Sequence, residues 1–172
     1  MRRGLDTLYN AAAVLAAFFL IGTLLMVLIG IAGRMFNFYL RGTDAYAGYC
    51  MAATSFFALA HTLRRGEHIR VTLLLDRFAA RARFALELWC HTAAVFLSGV
   101  LAFFSVRLAW QSYSFHDISQ GSDATPLWIP QLSMAIGTVV LLIAFIDALV
   151  ELVRQGRVVA SAESSGEPAH IE

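Results

Sequence analysis

The sequence predicts an all-α membrane protein with four transmembrane helices and a cytoplasmic amphipathic helix between the second and third. Three observations carry this. Of 172 residues, 59% are hydrophobic and only 15% charged, against about 25% charged in an ordinary soluble domain. So few charges do not cover the surface of a soluble chain this small. Four apolar runs have the length that a helix needs to cross a hydrocarbon layer of about 30 Å. The basic residues, all of them arginine, cluster at alternate ends of those runs. Lipid itself dictates the helical form, because every backbone N–H and C=O must be paired within the layer, and no β-barrel alternation is present.

The first run is 11–32, interrupted only by Gly22, Thr23 and Gly30. At 1.5 Å per residue it covers about 33 Å. A cleaved signal peptide is the competing reading of Met1-Arg2-Arg3 and the stretch behind it. That stretch is too long for a signal core, and Gly30-Ile31-Ala32-Gly33 is a weak cleavage string. Next, 34–43 reads as a short interfacial turn or helix ended by Gly42. Thr43 or Asp44 can cap the second span, and a carboxylate at Asp44 suits the positive end of its dipole. The second run is 45–63. The third is 84–109, driest between Ala93 and Val106, and the fourth is 127–150. Pro126 and Pro130 stand at the start of the fourth, where a first turn tolerates proline. After Gly156 the chain is rich in Ser, Ala and Glu, the composition of a flexible segment. The division is therefore a four-span membrane domain, 1–155, and a flexible cytoplasmic tail, 156–172.

Between spans two and three the chain reads TLRRGEHIRVTLLLDRFAARAR. Gly66 ends the preceding helix, and Thr72 can cap a new one over about 72–82. Leu73, Leu74, Leu75 and Phe78 oppose Asp76, Arg77 and Arg81, which predicts an amphipathic helix lying at headgroup level. Its arginines would meet anionic lipid phosphates. A solvated linker running into span three is the plainer alternative.

Orientation follows from the arginines. Arg2 and Arg3 precede span one, Arg64, Arg65, Arg70, Arg77, Arg81 and Arg83 lie between spans two and three, and Arg154 and Arg157 follow span four. The opposite side holds Arg34, Arg41 and Arg107 with Asp44, Asp117 and Asp123. The positive-inside rule then places both termini in the cytoplasm. Tyr39, Tyr46, Tyr49, Trp110, Tyr113 and Trp128 gather toward the outer side, as an interfacial aromatic belt does.

Chemistry is sparse. A net charge of +1 provides no field for nucleic acid. Cys50 and Cys90 lie far apart with no CxxC, which indicates neither a disulfide framework nor a zinc site. No P-loop, GxGxxG or nucleophile with an aligned base is visible, so no enzyme, no catalytic residue, no cofactor and no metal ligand is expected. Span centres are dry. Glu87, His91, Asp147 and Glu151 lie toward inner span ends, where polar packing is the simpler reading than an ion relay. Arg107 reads as snorkelling to the outer interface. His61 and His91 raise the alternative of a small b-type cytochrome subunit, because facing histidines hold haem between helices; no second pair and no CxxCH accompanies them.

The string Gly66-Glu67-His68-Ile69-Arg70-Val71, followed by Thr72-Leu73-Leu74, resembles a known signature. So do Arg34-Met35-Phe36-Asn37 leading to Asp44, and Pro126-Leu127-Trp128-Ile129-Pro130. Together, over roughly residues 5 to 153, the chain resembles the small permease subunit of tripartite ATP-independent periplasmic (TRAP) transporters, the DctQ-like family. The resemblance implies a multi-pass subunit of a bacterial inner membrane. It implies two partners: a large multi-span permease subunit that holds the substrate and ion sites, and a periplasmic substrate-binding protein. It further implies organic acids as cargo and a sodium gradient used by the large subunit. The small subunit would scaffold and anchor that partner, binding no substrate itself. Arg34, Phe36, Asn37, Asp44, Glu67, His68 and Arg70 are the implied subunit or lipid interface. The chain departs from the family pattern at Thr72, where Asp is common, and at Thr43-Asp44, where a glutamate pair is usual. The arginine often found soon afterwards is replaced by Ala47 and Gly48. Small residues Ala12, Ala13, Ala16 and Ala17, and Ser98, Gly99 and Ala102, are the expected points of close helix approach.

Overall fold

In a computed structural model the described residues are 2–38, 40–64, 80–120 and 124–165. They form four α-helices: α1 Arg2–Met35, α2 Thr43–Arg64, α3 Ala80–Phe115 and α4 Trp128–Ser165. Among the described residues there is no strand, only one isolated antiparallel bridge between Ile118 and Pro126. The expected helix at 72–82, with Gly66 and Thr72, falls almost wholly outside the described residues.

Among the described residues three helices are long and apolar enough to cross a membrane: Gly4–Met35, Ala82–Phe115 and Trp128–Arg154. The fourth expected span, 45–63, lies within α2, which is helical throughout but falls short of that apolarity. Tyr46, Tyr49, Thr54, Ser55, His61 and Thr62 dilute it. The three hydroxyls among the last four fold back onto their own helix: Thr54 donates to the Cys50 carbonyl at 2.9 Å, Ser55 to Met51 at 3.0 Å and Thr62 to Ala58 at 3.1 Å. A hydroxyl satisfied inside its helix loses most of its need for water.

The helices outrun their apolar cores. α3 continues to Phe115, past 109, and α4 to Ser165, past the 155 boundary drawn from composition. Hydropathy marks what lipid must cover; a helix continues until a cap stops it. α1 and α3 both stop on a left-handed residue. Asn37 has φ 56°, and the Phe38 amide donates to the Gly33 carbonyl at 3.0 Å. His116 has φ 54°, the Asp117 amide donates to Ser112 at 3.0 Å, and the His116 amide to Tyr113 at 3.4 Å. These six-to-one bonds are Schellman caps, which satisfy the last orphan carbonyls. Gly33 is required by the first cap, because a Cβ there would lie 2.7 Å from the Phe38 carbonyl oxygen.

Packing runs α1 on α2, α2 on α4, and α4 on α3, with α1 only grazing α4. α2 and α4 are therefore the centre, and α1 and α3 the flanks. At the centre Gly137 of α4 is pressed onto α2: a Cβ would sit 2.7 Å from the Phe56 Cβ and 2.8 Å from its carbonyl carbon and oxygen. α1 joins through Tyr9, Ala12 and Ala16, all buried. Tyr9 and Ala12 pack with Ala60, Val140 and Ala144, and Ala16 with Ala53 and Phe57. Phe19 stacks on Phe57 at 5.9 Å between centroids. On α3 the buried stripe is Ser98, Ala102, Ser105, Ala109 and Ser112, a spacing of four, three, four, three that keeps one narrow face on α4. Small residues let the backbones close. Of the residues expected at close approach, Ala12, Ala16, Ser98 and Ala102 are buried and Ala17 is exposed.

Candidate functional site

The sequence-predicted interface residues fall into two groups. Glu67, His68 and Arg70 lie outside the described residues. The other four lie together at the α1–α2 turn. Arg34 sits in the last turn of α1, Phe36 and Asn37 in the reversal, and Asp44 in the first turn of α2.

Gly42 takes φ 86° and its carbonyl accepts the Tyr46 amide at 3.0 Å, so it occupies the capping position ahead of Thr43. That leaves Thr43 and Asp44 inside the first turn, with the Asp44 carboxylate near the positive helix end. Arg34 Nη2 donates to Asp44 Oδ2 at 3.3 Å. Both side chains stay largely in the open, at 73% and 85% exposure. An ion pair this exposed contributes about 0–1 kcal/mol to folding. Most of each polar group remains available to a second molecule. Phe36, 76% exposed, stands beside them.

The same end of the bundle carries most of the aromatic belt. Tyr46 and Tyr49 meet edge to face at 6.1 Å, Tyr113 and Trp128 at 5.7 Å, and Trp110 lies 6.4 Å from Tyr113. Tyr39 lies outside the described residues. Two hydrogen bonds that sequence reasoning missed tie α2 to the α3–α4 loop. Tyr49 donates to Ser119 Oγ at 3.0 Å, and Thr125 donates to the Tyr46 hydroxyl at 3.1 Å. The loop itself is closed by Ser119 N to Thr125 O at 2.8 Å and Leu127 N to Asp117 O at 3.0 Å. The only signal in the sequence was the spacing of Tyr46 and Tyr49, which shares one helix face.

A groove of about 490 Å³ runs between α3 and α4. Trp110, Tyr113, Trp128, Leu132, Ile136 and Val139 line it, and all are apolar or aromatic. Its lining carries no charged side chain to pair with a carboxylate. A smaller hollow of about 30 Å³ under Arg34 and Asp44 is polar but holds little more than one water.

The remaining polar groups point to structural duties. His61 lies on α2 and His91 on α3, with α4 packed against both helices. His91 Nδ1 is 2.8 Å from the carbonyl of Glu87 on its own helix, and Glu87 accepts from Arg83 at 3.2 Å. This is an intrahelical cluster about two turns long. The cytochrome alternative gains no support from it.

Comparison with known proteins returns one result of weight. No curated protein matches the chain. Residues 23–155 match the family described as "Tripartite ATP-independent periplasmic transporters, DctQ component". The match takes in the C-terminal part of α1 from residue 23, all of α2 and α3, and α4 up to residue 155. Three helices fit to cross a membrane, closed at one end by an aromatic and hydroxyl-bonded cap, accompany that match. The chain therefore belongs to the DctQ family, the small permease component of TRAP transporters.

Proposed function

We propose that this chain is a non-catalytic scaffold: it enlarges and anchors the large permease subunit of a TRAP transporter for organic acids and binds no cargo. The observation that carries this is the DctQ match over 23–155. The apolar lining of the α3–α4 groove supports it, because an organic anion finds no charged partner there. In this reading α2 is the fourth span. Its Thr54, Ser55 and Thr62 hydroxyls are turned inward on their own helix, and α1 and α4 cover it on two sides. A span so covered needs less apolar surface than one facing lipid.

Both termini then lie in the cytoplasm of a bacterial inner-membrane protein, by the arginine count. The Arg34–Asp44 end faces the periplasm. Arg34, Phe36, Asn37 and Asp44 contribute there to contact with the large subunit, with lipid or with the periplasmic substrate-binding protein. Glu67, His68 and Arg70 do the same on the cytoplasmic side. Substrate and sodium sites belong to the large subunit, whose sodium-coupled symport uses this chain as its fixed part. An element that moves across a membrane needs another that holds its depth, and aromatic belts at headgroup level supply that.

Affinity purification of the tagged chain from its native membrane tests the proposal. It should retrieve a much larger multi-span protein. Recovery of the chain alone in several mild detergents contradicts it. Arg34→Ala and Asp44→Ala should both weaken assembly and uptake; unchanged assembly and uptake in both removes the interface role of this end.

A further inference from the structure

We propose that the face of α3 turned away from α4 is the docking surface for the large permease subunit, and that Arg107 meets a carboxylate of that subunit there. This rests on the scaffold reading above. Ser98, Ala102, Ser105, Ala109 and Ser112 fix which face of α3 meets α4. At 100° per residue, Phe96, Phe103 and Arg107 project from the opposite side. All three are exposed, the two aromatics at 70% and 63%.

Arg107 is out of place on such a face. It lies two turns inside α3, about 12 Å below the end at Phe115. No hydrogen bond or ion pair joins it to any described residue. A guanidinium among apolar side chains in a membrane calls for an anionic partner. A carboxylate on a neighbouring helix, met two-pronged, is the acceptor its planar fork fits best. Reaching up to lipid phosphate is the harder route, because helical Cα–Cβ bonds tilt toward the N-terminus. On α3 that direction leads away from the nearer end.

The opposite flank gives the contrast. α1 exposes Val14, Leu20, Leu24 and Leu28 with a single exposed aromatic, Phe18, in its apolar run and no charge among them, as a lipid-facing helix does. α3 exposes aromatics around an arginine, the residue types enriched where proteins bind one another.

The test uses the intact complex in native membranes. A photo-crosslinking phenylalanine analogue is placed at Phe103 or, as a control of similar exposure, at Phe18. Crosslinking to the large subunit from 103 and not from 18 is the expected result; crosslinking from 18 alone overturns the proposal. In parallel, Arg107→Leu should cut co-purified large subunit about tenfold, Arg107→Glu more, and Arg107→Lys less. An Arg107→Leu chain that retains its partner but loses bound anionic lipid, measured by native mass spectrometry, overturns the proposal in favour of a headgroup role. Wild-type chain that retrieves no large subunit overturns the scaffold reading instead, so the two failures are told apart.

Discussion

α1 and α3 flank the same α2–α4 centre and join it by the same device. Each lays down one narrow stripe of small side chains, Ala12 and Ala16 beside Tyr9 on one, Ser98 through Ser112 on the other. Beyond the stripe they differ. α1 has 6% of an 18-residue apolar stretch buried and shows aliphatic side chains nearly all round. α3 has 22% of such a stretch buried and shows Trp89, Phe96, Phe103, Phe104 and Trp110 with Arg107 among them. Hydropathy alone makes the two look alike. What separates them is the kind of apolar side chain and the one charge that lipid does not want.

Substitutions can break this comparison or sharpen it. The largest effect is expected at the centre that both flanks share. Gly137→Leu drives a branched side chain into the Phe56 backbone, already 2.8 Å from a bare Cβ. α2 and α4 must separate, and little monodisperse protein should survive extraction, as size-exclusion chromatography will show. Near-normal yield would mean that the close approach of these helices is not what holds the bundle.

Next come the stripes. Ala102→Leu overfills the α3–α4 seam and should destabilise the chain by about 1–3 kcal/mol, read from thermal unfolding in detergent. Ala17→Leu, on the exposed side of α1, should change stability by no more than about 0.5 kcal/mol. Equal effects at the two positions would erase the distinction between seam and outward face.

A smaller change is expected at the reversal that closes α1. Asn37 tolerates φ 56°, whereas Asn37→Val places a β-branched residue in the left-handed region and should cost about 1–2 kcal/mol. Asn37→Gly should be neutral or slightly stabilising. The smallest effect belongs to Arg34→Ala, about 0–1 kcal/mol on the chain's own stability, because both partners of its ion pair are so exposed. If Arg34→Ala leaves folding intact yet weakens assembly, Arg34 acts between subunits; a large loss of folding makes it an internal brace.

Much of this was legible before any coordinates. The four apolar runs became four helices, because in lipid a long apolar stretch has no other way to pair its backbone. Gly42, Pro126 and Pro130 fell where turn chemistry puts them, but the cap of α2 is Gly42 and not Thr43 or Asp44, which lie inside its first turn. Ala12, Ala16, Ser98 and Ala102 were picked out by size alone. What could not be read was which helix lies beside which. Apolar runs carry no address, and the order α1, α2, α4, α3 depends on Gly137 meeting Phe56, two residues far apart in sequence. Nor did composition show where helices end: α3 passes the end of its apolar run at 109 and stops only at the His116 cap. Arg34 and Asp44 were paired by the turn between them. The bonds from Tyr46 and Tyr49 to Thr125 and Ser119 needed the fold to bring distant hydroxyls together.

One measurement bears most directly on the claim that this chain braces a transporter without carrying cargo. Proteoliposomes are prepared with the purified chain alone, and with the chain, the large permease subunit and the binding protein together. Uptake of a labelled organic acid under an inward sodium gradient is then followed. The account predicts flux from the full set and none above empty vesicles from the chain alone. Gradient-driven flux from the chain by itself would contradict it.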